Sequence, residues 1–187
     1  MTIFVLEGPD FAGKSSHAES VASRLVGGSD IIHNGPDKEY PPERLFAKYV
    51  AQVAHAINSD RHTIFDRLHV GELIYGPAYR NESRLSFYQI RAIDDMLDDA
   101  GAVKVFVDAK DEDLISRFRG ERGDDLVKDE ETLLKIAKSY RVLLDPHEPD
   151  PSPFLAGLLG FPKLDRQTLP GWVHWTSEHG RAAGNRG

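Results

Sequence analysis

Gly8-Pro9-Asp10-Phe11-Ala12-Gly13-Lys14-Ser15 brackets four residues between two glycines, then adds a cation and a hydroxyl. The spacing fits G-x-x-x-x-G-K-[ST], a phosphate-binding loop. The glycines let backbone N–H groups turn inward around an anion, and a helix that follows offers free N–H groups and a positive dipole end. Lys14 would reach the terminal phosphates of a nucleoside triphosphate, and Ser15 would offer its hydroxyl to Mg²⁺. Asp10, Ala12 and Ser16 belong to the same lining. ATP with Mg²⁺ is the ligand this pattern implies. The loop alone does not say what is done with it.

Two further groups narrow the chemistry. Asp66-Arg67 closes the apolar part of IFDRLH. A carboxylate there would sit at the carboxyl edge of a sheet, where α/β proteins bind ligands. It could hold a metal-bound water or the acceptor, while the guanidinium clamps a second phosphate through paired hydrogen bonds. The plain alternative is a surface ion pair. Arg117, Arg119 and Arg122 cluster in SRFRGERGDD. An arginine-rich lid closing on transferring phosphates suits phosphoryl transfer, which gains mainly from positioning and charge neutralisation. The plain alternative is a solvated loop in which Glu121, Asp124 and Asp125 neutralise the arginines.

These residues need a frame. Ile3 to Leu6 reads as a strand buried on both faces. Ala18, Val21, Ala22 and Leu25 fall at helical spacing between Lys14 and Val26, and Gly27-Gly28 ends that helix. A short strand is expected at Asp30–His33, and a helix carrying Phe46, Tyr49, Val50, Val53 and Ile57 starts after Pro41-Pro42. Thr63–Asp66 is the next strand. Leu68–Arg84, rich in Gly and Tyr, reads as a loop with a short helix. A third helix carries Phe87, Ile90, Ile93 and Leu97, with Ser83 as N-cap. Val103–Val107 is a strand, Asp111–Phe118 a short helix, and Leu133 to Leu144 a longer one. Trp172–Thr176 is the last strand. Alternation of strands and helices predicts an α/β fold: a P-loop three-layer α/β/α arrangement on a parallel five-stranded sheet.

The 187 residues suit one domain over 1–187, with a lid at about 117–127 and a proline-rich insertion at 145–171. A net charge of -7 argues against a broad nucleic-acid surface, though not against a local basic pocket. With no cysteine, disulfides and thiolate metal sites are excluded. The N-terminus lacks a basic region before an apolar stretch, and no run approaches the ~20 apolar residues of a membrane span. A cytoplasmic protein without membrane contact is the expectation, and a homodimer is compatible with it. The eight histidines show no metal-ligand spacing, so His17, His33, His55 and His69 read as surface or supporting residues. Trp172 and Trp175 read as core residues rather than a base-stacking platform.

VLEGPDFAGKSS resembles the start of thymidylate kinases, which carry Glu-Gly-x-Asp ahead of the Gly-Lys-Ser/Thr. IFDRLHVGELIYGPAYR resembles their Asp-Arg segment, and RFRGERGDD lies where their arginine lid lies. The likeness spans roughly residues 1–144. GELIYGPAYR is more similar to kinases of bacteriophages and actinobacterial clusters than to housekeeping enzymes. The resemblance implies that Asp10 hydrogen-bonds the acceptor sugar, Arg67 holds the acceptor phosphate, and Tyr75 lies near the sugar and disfavours a 2′-hydroxyl. It also brings Arg44 toward the acceptor phosphate. Arg80, in the Tyr75 loop, is a further acceptor-binding candidate, with packing as its alternative role. With Phe11-Ala12 and no arginine in the P-loop, the chain looks like the type that keeps its catalytic arginine in the lid. A helix after the last strand, usual in that family, has only a short tail in its place, and the proline-rich insertion is not a family feature.

The expected activity is ATP-dependent phosphorylation of a (deoxy)nucleoside 5′-monophosphate, a pyrimidine such as dTMP, to the diphosphate. Lys14, Asp66, Arg67, Arg119 and Arg122 carry the chemistry in that reading, with Arg117 on the donor phosphates and Ser15 and Asp66 on the metal. The alternative acceptor is a hydroxyl of a nucleoside or of a hydroxymethylated pyrimidine, free or in DNA, with Asp66 as base. A third reading is a nucleotide-binding switch, against which the lid arginines argue.

Overall fold

The computed structural model describes residues 1–35, 41–120, 126–145, 169 and 171–176. Five parallel strands form one sheet: β1 (Ile3–Glu7), β2 (Ser29–His33), β3 (His62–Asp66), β4 (Val103–Asp108) and β5 (Trp172–Thr176). Their order is β2-β3-β1-β4-β5. The fold class is therefore the expected one, and β5 occupies the residues read for it.

β1 lies between β3 and β4, which is why four of its five residues are buried. The helices are α1 (Lys14–Ala22), α2 (Pro42–Ile57), α3 (Val70–Arg80), α4 (Phe87–Asp99), α5 (Asp111–Gly120) and α6 (Glu130–Leu144). The chain steps one way from β1 to β2 and the other way thereafter. Right-handed crossovers then put α1 on one face and the remaining helices on the other. The reversal leaves a crevice at the carboxyl end of β1, the place where open α/β sheets bind ligands.

Register positions the site. Leu6 pairs with Asp66 and Glu7 with Phe106, so β3 delivers Asp66 beside the strand that enters the P-loop. On the other side Val107 pairs with Trp175. Gly8 has φ +153°, and a Cβ there would lie 2.0 Å from the Val107 carbonyl oxygen. Only glycine lets the loop leave β1 this close to β4.

Three element readings need correction. The first helix stops at Ala22, because Arg24 and Leu25 bond back to Val21 and Ala22 in tight turns before Gly27. Leu68–Arg84 is mostly helix: α3 has eleven residues and holds Pro77 inside it. The N-cap of α4 is Ser86, not Ser83. Ser86 accepts from the Gln89 N–H while the Gln89 side chain accepts from the Ser86 N–H, a complete capping box. Ser83 instead bonds Leu85 within the preceding turn. In α5, Arg117 and Arg119, expected from the sequence to belong to a lid, stand in the last helical turn, where cations suit the helix dipole. Arg122 and the acidic residues Glu121, Asp124 and Asp125 lie outside the described residues. So does the proline-rich insertion apart from Asp145, Leu169 and Gly171. No described helix is long and apolar enough to cross a membrane.

Candidate active site

The P-loop opens into a cleft of about 690 Å³. Gly13 caps α1 in the left-handed region at φ +92° with no side-chain cap, so the first N–H groups of α1 face the loop. Asp10, Ala12, Gly13, Lys14, Ser15 and Ser16 line the cleft together with Asp66, Arg67 and Arg117. The structure thus brings together the loop, the Asp-Arg pair and one of the arginines expected in a lid, Arg117.

Ser15 Oγ donates to Asp66 Oδ2 at 2.6 Å, and His33 Nδ1 lies 2.8 Å from the same oxygen. Asp66 Oδ1 is buried without a hydrogen-bond partner. A hard-oxygen pair with one unsatisfied carboxylate oxygen, beside a triphosphate loop, is the donor set Mg²⁺ takes when it also binds phosphates. Ser15 and Asp66 therefore fit the metal expected of them.

Arg67 has φ +68° and ion-pairs with Asp10. Its backbone is gripped from two sides. Its N–H donates to the Leu6 carbonyl at 2.9 Å, and Asn34 Nδ2 donates to its carbonyl at 3.0 Å. Gln52 in turn donates to Asn34. Just beyond, the fully buried Glu7 accepts from the N–H groups of Leu68 and Val70 at 2.9 and 3.1 Å, and from Tyr140 Oη at 3.2 Å. A buried carboxylate with three donors holds the turn that carries Arg67. Glu7 and Asn34 were missed as site residues, while His33, read as a surface or supporting residue, stands beside Asp66. The one available signal was a glutamate ending an otherwise apolar strand.

The remaining candidates fall elsewhere. Tyr75 is buried beneath the P-loop. Its hydroxyl accepts from the Asp10 N–H at 3.1 Å, and its ring lies 5.5 Å from the Arg67 guanidinium carbon. It thus touches both acceptor-binding candidates without itself lining the cleft. Arg80 ion-pairs with Glu72, which Arg84 also contacts. Arg44 is exposed on α2, in a separate groove with Ile32, Lys48 and His55. Arg119 makes a two-pronged pair with Glu130 at 2.7 and 2.9 Å, away from the cleft. Arg117 donates to the Phe11 carbonyl at 2.8 Å, which holds the end of α5 on the P-loop. Trp172 is buried as expected, whereas Trp175 is half-buried and lines the cleft beside His17.

Lys14 is 5% exposed and donates to the Pro9 carbonyl at 2.6 Å. Burial, with the nearby Arg67 charge, lowers its pKa from 10.5 to about 7. Phosphates beside the ammonium would raise it again. Between about pH 7 and the raised value, triphosphate binding should take up a proton, so affinity should fall as pH rises above 7. Calorimetry at pH 8 in buffers of different ionisation enthalpy measures this uptake. A binding heat independent of the buffer would contradict it.

A parallel five-stranded sheet with a P-loop at its switch point is an α/β fold that solved structures share. Two solved structures carry that likeness. The YorR protein of Bacillus subtilis, in complex with phosphorylated GDP, superimposes with a TM-score of 0.64 at 23% identity, over 95% of this chain and 86% of that one. Deoxyadenosine kinase from M. mycoides with bound dATP gives 0.54 at 16% identity, over 95% and 92%. No family model and no curated protein matches the sequence.

Proposed function

We propose that the chain transfers the γ-phosphoryl group of ATP to a (deoxy)nucleoside 5′-monophosphate, a pyrimidine such as dTMP, giving the diphosphate. The observation that carries this reading is the position of Arg67: a guanidinium on a braced turn, in one cleft with Lys14, Ser15 and Asp66. Fold likeness to a protein solved with phosphorylated GDP and to a deoxyadenosine kinase solved with dATP supports nucleotide phosphorylation in general without choosing the acceptor. Arg67 holds the acceptor phosphate and Lys14 the donor phosphates. Ser15 and Asp66 would hold Mg²⁺, which when bound would supply charge neutralisation on the donor phosphates. An acceptor phosphate oxygen forms the new bond to the γ-phosphorus as the bond to the β–γ bridging oxygen breaks, and ADP leaves. The nucleophile is already ionised at neutral pH, so no base is required. Arg119 and Arg122 spread the developing charge as the lid closes, which requires Arg119 to exchange Glu130 for phosphate.

The second reading, a hydroxyl acceptor, draws on one contact. His33 at 2.8 Å from Asp66 could relay the proton that Asp66 takes from a hydroxyl. ADP release measured across monophosphates, nucleosides and hydroxymethylated pyrimidines, free and in DNA, decides between them. Turnover with a deoxypyrimidine monophosphate is expected. Turnover with nucleosides or modified DNA alone would overturn the first reading.

Sugar choice is assigned to Tyr75 acting through Asp10 and Arg67. Burying an unpaired 2′-hydroxyl costs roughly 1–3 kcal/mol, so a deoxy preference of about five- to a hundred-fold is expected. In Tyr75→Phe, Asp10 loses the hydroxyl that fixes its N–H, and the deoxy-to-ribo ratio of kcat/KM should narrow. If both substrates lose equally and the melting temperature drops, Tyr75 is a packing strut and nothing more.

A further inference from the structure

The proposed reaction draws on Ser15, Asp66 and Arg67. The same cleft is also lined by His17, Ser20 and Trp175, which that reaction leaves unused, and by Arg117. His17 and Trp175 are in contact, with ring centroids 4.4 Å apart and planes tilted by 40°. The backbone explains why they meet here. His17 lies three residues beyond Lys14, one turn along α1. Trp175 is the register partner of Val107, whose carbonyl abuts Gly8. The aromatic pair is therefore built onto both flanks of the P-loop.

We propose that Trp175 and His17 form a stacking platform for the base of the phosphate donor. The proposal rests on the nucleotide-kinase reading above and adds to it a subsite and a ligand preference. A donor with its phosphates on the loop must rest its nucleoside on a further part of the cleft lining, and His17 and Trp175 are in contact there. Ser20 and Arg117 also line the cleft, and Arg117 is committed to the Phe11 carbonyl. Recognition by ring faces is tolerant of base identity, because every base has a π-face. ATP and GTP should therefore bind with similar affinity.

Two measurements test this. The chain has two tryptophans, so Trp172→Phe leaves Trp175 as sole reporter. ATP and GTP should quench its fluorescence saturably. Tripolyphosphate, which has no base, should displace them without quenching. In an otherwise wild-type chain, Trp175→Ala should weaken ATP about five- to a hundred-fold by calorimetry and leave tripolyphosphate unchanged, while Trp175→Phe keeps most of the ATP affinity. Unchanged ATP affinity in Trp175→Ala, or equal loss of ATP and tripolyphosphate, would overturn the platform. That result leaves the kinase reading standing. If the wild-type protein binds neither ATP nor tripolyphosphate, the phosphate-loop reading fails, and the platform with it.

Discussion

Replacing Lys14 with alanine is expected to lower ATP-dependent turnover by about 10²–10³-fold, the usual effect of removing one preorganised group from a transition-state site, without loss of the fold. The lysine is buried, but it lines the cleft, so truncation opens space toward water and not a sealed cavity. The side chain is also a stability cost. Its folded pKa of about 7 lies below the ordinary 10.5, so the unfolded chain holds the extra proton between those values, and wild-type stability rises with pH across that window. Lys14→Ala removes this cost. Its melting temperature should equal or exceed that of the wild type, with the largest excess below pH 7 and a fading one toward pH 10.5. Parallel thermal melts and coupled turnover assays check both parts. Near-normal activity in a folded variant would remove the phosphate-loop assignment.

The second large effect concerns Arg67→Gly. Glycine takes the left-handed backbone of residue 67 without strain, whereas a side chain there costs on the order of 1 kcal/mol. The exchange therefore removes the guanidinium while relaxing the turn. A lost hydrogen bond to a charged group is worth roughly 1.5–3 kcal/mol, so KM for the acceptor should rise about ten- to a hundred-fold, with KM for ATP little changed. Arg67→Ala should show the same kinetic loss with lower stability, because alanine keeps the strain. If both substrates weaken equally in both variants, Arg67 is not an acceptor clamp.

How much of this was legible depends on how local each signal is. Residues 8–15 declared the phosphate loop because its chemistry is written in consecutive positions. The strands were legible because runs such as Ile3–Leu6 are apolar on both faces. α3 was not, because Gly71, Gly76 and Pro77 are helix breakers by composition. The packing shows why Gly76 is there: a Cβ would meet the Glu82 carbonyl oxygen at 2.8 Å. Contacts made by register were also invisible. Nothing in the order of residues says that Asp66 lands beside Leu6, or Trp175 beside Val107. The Glu130 partner of Arg119 and the Glu7 grip on residues 68 and 70 are long-range choices of the folded chain. They depend on which faces meet, and spacing alone does not record that.

The depressed basicity of Lys14 has a consequence for covalent chemistry. An amine that is about half deprotonated at neutral pH offers a free lone pair in that half, while ordinary lysines near pKa 10.5 keep theirs protonated. A small acylating electrophile that enters the cleft at pH 7.5 should therefore modify Lys14 ahead of exposed lysines such as Lys135, whose pKa is raised by its Glu131 pair. Saturating tripolyphosphate should protect it, by covering the nitrogen and by returning its proton. Peptide mapping of the labelled protein would show this. Preferential labelling of Lys135, unaffected by tripolyphosphate, would mean that the buried nitrogen is no better a nucleophile than its exposed counterparts.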